Sequence, residues 1–412
     1  MTTEIPSDLL TPLGAYLRLG SPSADGGAFL LESVERGRLG RYSFVGSGPR
    51  LVDWQGAQHL GEPVVGYLAY DAIAAFEPTV RLPKSGPRIP TSKFIVPHVL
   101  VRFDHARGVA DVLRGDRDQL AALFDAPVAD RPRPRGVASP ITRFPERDEH
   151  LARIERAKKY IREGDVYQVV ISQRAERRTS ASPVDLYRSL RRINPSPYLF
   201  LIEFSDLALV GSSPEAIVKC EGSRAALNPI AGTIASGEGD EATLLSSDKD
   251  RAEHVMLVDL GRNDLSRVCR PGSVCVERFM EPERYSHVTH LVSEVVGQLG
   301  PDVSPFELAQ ACFPAGTVSG APKIRAMQII SELEGYRRGI YAGAVGYAIP
   351  SERTLDMCIA IRTAVVVDGV AHLQAGGGIV ADSDPVAEYD ECLNKLRALE
   401  EAINLAESEQ SR

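Results

Sequence analysis

Between Asp148 and Asp165 the chain reads DEHLARIERAKKYIREGD, with Leu151, Ile154, Ala157 and Ile161 at helical spacing among charged residues. Apolar side chains three or four positions apart share one face of a helix, and Gly164 marks the expected stop. The next stretch, VYQVVISQRAE, changes period, and its β-branched residues suit a pleated strand. The same reading predicts strands at GAFLLESV, RYSFVGSG, LFLIEF, LALVGSS, AGAVGYAI, CIAIRTAVVV and VAHLQAGGGIV. Helices are predicted at KDRAEHVMLVDLGRNDL, APKIRAMQIISELE and PVAEYDECLNKLRALEEAINLAE. In the last of these Asp384 can cap and Pro385 can open the helix. Tyr389, Leu393, Leu396 and Ile403 then make the buried stripe, with Glu388, Glu391 and Lys395 along one edge.

Several strands run in succession before each helix, so the pattern predicts an α+β protein with large antiparallel or mixed sheets, packed as a sandwich flanked by helices. It does not fit a doubly wound sheet. Residues 1–125 read as short strands joined by turns. Residues 126–147, APVADRPRPRGVASPITRFPER, are too rich in proline for a helix or a central strand and read as a connector. Residues 148–407 hold the mixed strands and helices. No internal repeat or low-complexity tract interrupts them.

Composition narrows the function classes. The 412 residues are 43% hydrophobic and 25% charged, enough for a sizeable core. A net charge of -8 argues against a general nucleic-acid binder. No apolar run approaches the ~18 residues of a membrane span. MTTEIPSDLL lacks the basic and apolar regions of a signal peptide, so a cytoplasmic protein is expected. Cys220, Cys269, Cys275, Cys312, Cys358 and Cys392 contain no CxxC pair, and reduced thiols are expected.

The chemistry-bearing stretches come late. In FPAGTVSGAPKIRAMQ, Gly316, Thr317, Ser319 and Gly320 precede Pro322 at a helix start, with Lys323 in the first turn. Backbone N–H groups, hydroxyls and an ammonium there suit an anion, although the spacing is not that of a P-loop and a tight structural turn would read the same. In LQAGGGIVADSDP, Gly376, Gly377 and Gly378 read as a loop between strand and helix, whose amides can approach a carboxylate closely. Glu253 and Glu391 lie on two helices with apolar opposite faces. Two carboxylates beside two anion cradles call for a cation, and Mg²⁺ suits that oxygen-rich set, unless both glutamates are simply solvated. Arg362, within apolar CIAIRTAV, needs a carboxylate partner, either substrate or salt bridge. His290 is a candidate proton carrier or a satisfied core histidine. Glu215, after a strand in VGSSPEAIV, can donate a proton if its surroundings raise its pKa. Together these residues describe an enzyme for a small polyanionic substrate.

In this order GDVYQVVISQR, NPSPYLF, LVGSSPEAIV, PIAGT, DRAEHVMLVDLGRNDLSRV, ERYSHVTHLVSEV, PAGTVSGAPKIRAM, GAVGY, CIAIRT and QAGGGIVADSDP resemble the catalytic half of the chorismate-utilising enzymes. LLESVERGRLGRYSFVG and GYLAYDAIAAFE resemble the N-terminal half, and the likeness is greatest to the large, component I subunits of anthranilate synthases. That resemblance implies Mg²⁺ held by Glu253 and Glu391. It implies substrate binding by Gly232, Thr233, Tyr341, Arg362 and Gly376–Gly378. Glu215 would be the general acid, Thr317 would lie against the substrate, and His290 would assist loss of pyruvate.

Two positions discriminate among family members. Aminodeoxychorismate synthases typically read PIKGT where this chain has Ala231, so the attacking lysine is absent. Water-using members carry an activating lysine where this chain has Gln168. Ammonia addition to chorismate, giving anthranilate, is the reading that both substitutions favour. Enzymes stopping at 2-amino-2-deoxyisochorismate, aminodeoxychorismate synthases and a non-catalytic regulatory subunit are the alternatives. No Gly-x-Cys-x-Gly turn is present, so ammonia from glutamine requires a separate amidotransferase small subunit. Ser33, Pro197, Tyr198 and Leu199 match positions that bind tryptophan as feedback inhibitor. The chain departs from the family at IASG after Thr233, where RPRG is frequent.

Overall fold

A computed structural model describes residues 3–20, 22–33, 41–128, 139–235, 237, 239–284 and 288–409, with positions 233, 235, 249, 288 and 409 described by backbone alone. Its frame is a pair of large sheets in which every pairing is antiparallel. The first has 12 strands. From edge to edge they run Glu4–Pro6, Val109–Arg114, Val99–Asp104, Tyr42–Gly48, Gly27–Glu32, Tyr198–Phe204, Ala208–Ser213, Thr363–Val367, Val370–Ile379, Gln168–Arg178 and Gly320–Ala321, with Thr142–Phe144 beside Gln168–Arg178. The second has 10 strands. Its order is Ile230–Ala235, Val288–Gln298, Arg224–Leu227, Ala216–Glu221, Thr354–Ile359, Ala344–Ile349, Val64–Leu68, Ser92–Val96 and Arg50–Val52, with Cys275–Arg284 on Val288–Gln298.

Strand periodicity accounts for the layering. Along Tyr198–Phe204 the side chains alternate, Phe200, Ile202 and Phe204 joining Phe29, Tyr67, Ile95 and Val345 between the sheets. Leu199 and Leu201 face outward and are covered by Tyr187 and Leu190 of the helix Pro183–Ile193 and by Leu396, Leu399 and Ile403 of the helix Pro385–Glu409. The helices Pro305–Cys312 and Lys323–Glu334 close the other flank around Phe306, Met327 and Ile330. This is the helix-flanked sandwich that the strand-rich pattern predicts. Strands from residues 4–114 extend both sheets, so the two halves of the chain share one frame. Among the described residues no helix is long and apolar enough to cross a membrane.

Among the α-helices that interrupt a region that reads as strands and turns are Pro12–Leu19, Trp54–Leu60 and Arg117–Asp125. They have 8, 7 and 9 residues, too few to display a clear apolar period. Each is capped, Thr11, Asp53 and Asp116 accepting a hydrogen bond from a first-turn N–H. All six cysteines are unpaired.

Candidate active site

Two neighbouring crossovers between the sheets create the site. One carries the chain from Ala208–Ser213 in the first sheet to Ala216–Glu221 in the second and holds Glu215. The other runs from Thr354–Ile359 back to Thr363–Val367 and holds Arg362. Arg362 therefore does not lie within a continuous strand, as CIAIRTAV suggests: its φ is +49°, and the strand breaks there to change sheets. The Ile359 N–H donates to the Glu215 carbonyl at 3.0 Å and ties the two crossovers together.

Glu215 sits above a narrow cleft walled by Ile217, Leu227, Pro229, Leu257 and Leu260. Burial pushes its carboxyl up to about 8, and nearby Glu253 adds to this. The Thr317 hydroxyl, donating to Glu215 Oε1 at 3.0 Å, works in the other direction, as do Arg362 and Lys395. The net result is a carboxylic acid that keeps its proton at neutral pH. Arg362 has no ion pair or side-chain hydrogen bond among the described residues, and Glu215 is the charge that influences it most.

The glycines are not in a loop. Gly376, Gly377 and Gly378 lie inside the strand Val370–Ile379, opposite Ser172, Ile171 and Val170 of the strand Gln168–Arg178. At each position a neighbouring side chain stands where a Cβ would sit and would have to shift to admit one. A Cβ at Gly376 would lie 2.8 Å from the Tyr341 hydroxyl, one at Gly377 2.9 Å from Glu388 Oε2, and one at Gly378 2.1 Å from Gln168 Nε2. Gln168 Nε2 in turn donates to Glu253 Oε1 at 2.9 Å, on the helix Asp248–Ser266. Replacing Gly378 by Ala will push Gln168 off Glu253. We expect a loss of about 1–3 kcal/mol, measured by denaturant unfolding, since overpacking a filled site has that cost.

The last helix supplies the opposite wall. Lys395 Nζ donates to the Gly376 carbonyl at 2.9 Å and pairs with Glu391 at 2.6 Å. Glu391 is half exposed, whereas Glu388 is buried and accepts from the Ser383 hydroxyl at 2.7 Å. Asp384 caps the helix through the Ala387 N–H, as the sequence suggests. Lys395 is the site residue that sequence reasoning placed only on an edge; its i,i+4 spacing to Glu391 was the available signal.

The start of the helix Lys323–Glu334 is a correction. Lys323 is not an open anion ligand, because its ammonium is 2.7 Å from Asp264 Oδ2 and 3.1 Å from the Cys312 carbonyl, with both charged side chains buried. Thr317, six residues earlier, is the part of that stretch that reaches Glu215.

Gly232 occupies a bulge where Ile230–Ala235 pairs with Val288–Gln298, and its φ of +66° favours glycine. His290 Nδ1 lies 3.2 Å from the Gly232 carbonyl, which can only accept, so the ring's lone pair is on Nε2. Burial lowers the pKa of His290, favouring the neutral ring. Ala231 is buried beside the bulge, and Thr233 is described by its backbone alone. Tyr341 is buried with its hydroxyl against Gly376. On the far side, pairing of Leu199 with Glu32 brings Ser33 beside Pro197 and Tyr198. The Ser33 N–H faces Ser43 Oγ at 3.4 Å, and the Tyr198 hydroxyl donates to Asp356 at 3.1 Å.

A half-buried acid, a guanidinium with no ion pair among the described residues and carboxylates on two helices surround a glycine strand, a set of groups chemically suited to a small polyanion. Residues 47–401 match the model of the chorismate binding enzyme family, and the chain belongs to that family. The chain is 42% identical to the probable anthranilate synthase component 1 of Schizosaccharomyces pombe, over 99% of this chain and 94% of the relative. It is 40% identical to the anthranilate synthase component 1 of Thermus thermophilus, over 98% and 97%. Among solved structures, anthranilate synthase component I from Streptococcus pneumoniae superposes with a TM-score of 0.79 at 31% identity, covering 96% of this chain and 98% of that one. The menaquinone-specific isochorismate synthase of Escherichia coli shares the fold, with a TM-score of 0.76 at 21% identity.

Proposed function

We propose that this protein is the chorismate-aminating component of an anthranilate synthase. Ammonia adds at ring carbon 2 of chorismate as the carbon-4 hydroxyl leaves as water, giving 2-amino-2-deoxyisochorismate. Loss of pyruvate from that compound then gives anthranilate. The observation that carries the reading is the pair of positions without an amine. Ala231 presents a methyl group, and the neutral carboxamide of Gln168 is fixed by Glu253. Neither can attack the ring or activate water, whereas ammonia needs no activation.

The remaining residues have complementary roles. Glu215, protonated at neutral pH, gives its proton to the departing hydroxyl, and Thr317 fixes the carboxyl's direction. Arg362 takes a substrate carboxylate bidentately, with Tyr341, Gly232, Thr233 and Gly376–Gly378 lining the ring's path. His290, neutral with its lone pair on Nε2, accepts the carbon-2 proton as the ring becomes aromatic and the enolpyruvyl group leaves. Glu253 and Glu391 are the groups that would hold Mg²⁺. Among the described residues no cluster of three or more His, Cys, Asp or Glu is arranged for a metal, and two carboxylates completed by water and an anionic ligand is a set Mg²⁺ accepts. Bound there, the ion would neutralise a substrate carboxylate and ease the approach of the nucleophile.

The name component 1 carried by the relatives fits a second subunit, here a glutamine amidotransferase that supplies ammonia. Residues 1–125 contribute Ser33 to a tryptophan site completed by Pro197, Tyr198 and Leu199. Tryptophan at millimolar concentration should inhibit the parent, and Ser33→Leu should raise the inhibitory concentration at least tenfold; equal sensitivity would remove this site. The function itself is tested with chorismate, Mg²⁺ and ammonium at alkaline pH, recording anthranilate fluorescence and pyruvate. Both products are expected. A 4-amino product, isochorismate, or amination without pyruvate would overturn the proposal.

A further inference from the structure

Arg338 and Glu334 form an ion pair with side chains only 1% and 4% exposed. Arg338 Nε donates to Glu334 Oε2 at 2.9 Å and Nη2 to Oε1 at 2.7 Å, a fork on a carboxylate. The same guanidinium donates to the Val318 carbonyl at 2.7 Å and the Val170 carbonyl at 2.9 Å. Its central carbon lies near two rings, 4.9 Å from the centre of Tyr70 and 5.5 Å from that of Tyr341. Glu334 Oε1 also receives the Ser172 N–H at 2.9 Å and hydroxyl at 2.7 Å. Gln374 Nε2 donates to that hydroxyl at 2.8 Å.

Each of these contacts ends close to a site residue. Val318 follows Thr317, whose hydroxyl holds Glu215. Val170 is opposite Gly378 and two positions beyond Gln168. Ser172 is opposite Gly376, and the Tyr341 hydroxyl abuts Gly376 from the other side. One ion pair therefore joins the turn, the strands Gln168–Arg178 and Val370–Ile379, and the tyrosine. The net stability of the two charges is a weak reason for it. Burying two charges costs several kcal/mol per ion, and apolar residues of similar volume are often as stable or more so. A rigid fork, unlike an apolar contact, fixes directions.

We propose that Arg338 and Glu334 are positioning residues for the amination step, setting Thr317 against Glu215 and Tyr341 against the glycine strand without touching substrate. The proposal rests on the reading of Glu215 and Thr317 as the acid and its partner. Lysine at position 338 keeps the charge but cannot reach the carboxylate and both carbonyls in one plane.

The test is a cycle of Arg338→Lys, Thr317→Val and the double variant, with kcat and KM for chorismate measured per folded molecule. Thermal unfolding sets the folded fraction. Arg338→Lys should lower kcat about 10- to 100-fold, since a misplacement near 1 Å costs up to that much, with KM changed less than about threefold. Thr317→Val should lower kcat similarly, and the double variant should be no worse than the weaker single one. The paired change Arg338→Met with Glu334→Leu gives a second route if the lysine variant does not fold. It should unfold below the parent's temperature, because the Val318 and Val170 carbonyls and the Ser172 N–H lose their partners, with the same loss of kcat per folded molecule. If Thr317→Val lowers kcat but kcat survives in the folded Arg338 variants, or the losses multiply, the positioning role is overturned and the reading of the acid stands. If Thr317→Val leaves kcat unchanged, that reading falls and the positioning role falls with it.

Discussion

Glu215→Gln should leave the protein folded and lower kcat on the order of 10²- to 10⁴-fold, the range expected when a general acid is lost. A second effect distinguishes this from a general disturbance. The Glu215 carboxyl rises from an ordinary value of 4.5 to about 8, with burial the leading cause. The folded state thus holds the proton more tightly than the unfolded chain. Stability linked to this group is complete below about 4.5 and is lost as pH rises through about 8. Glutamine does not ionise, so relative to the parent the variant should gain in unfolding temperature as pH rises from about 4.5 to about 8, with no further gain above. In the parent, kcat/KM corrected for the concentration of free NH₃ should fall above about pH 8. Undiminished turnover in the glutamine variant, or a parental profile flat to pH 10, would remove the acid from the scheme.

Glu391→Gln should separate turnover from stability in the opposite way. Its carboxylate is half exposed and paired with Lys395, the kind of surface contact that contributes only about 0–1 kcal/mol. The unfolding midpoint should therefore stay within about 1 kcal/mol of the parent. In the proposed role of metal ligand, however, the residue would support several kcal/mol of charge stabilisation. That corresponds to a loss of roughly a hundredfold or more in turnover, with the Mg²⁺ titration shifted to higher concentration. A variant with parental turnover and an unchanged Mg²⁺ midpoint would show that the divalent ion is held elsewhere.

The layered frame was legible because it depends on local period. The alternation in LFLIEF survives as Leu199 and Leu201 outward, Phe200 and Ile202 inward. The residue types of the candidate site were legible too, but their placement was less so. CIAIRTAVVV shows no proline or glycine where the strand breaks, because Arg362 itself takes the left-handed conformation needed to change sheets. AGGGIV read as a loop because three glycines usually destabilise a strand; here neighbouring side chains from Gln168, Glu388 and Tyr341 fill the missing volume. Lys323 looked free because its partner, Asp264, is 59 positions away. Arg338 was hidden for a different reason. In EGYRRG an arginine four positions after a glutamate reads as a solvated helix end, and nothing local reports that both are buried.

The paired crossovers have a further consequence. Glu215 and Arg362 each belong to a segment anchored at one end in one sheet and at the other end in the second. Their separation is therefore gauged by how the two sheets slide over Phe200, Tyr67 and Val345, not by either segment alone. A change of side-chain volume in that layer, even beneath the strands of residues 27–104, would be transmitted as altered alignment of acid and anchor. Substitutions well away from the cleft should thus register in reaction rate before they register in the affinity for chorismate.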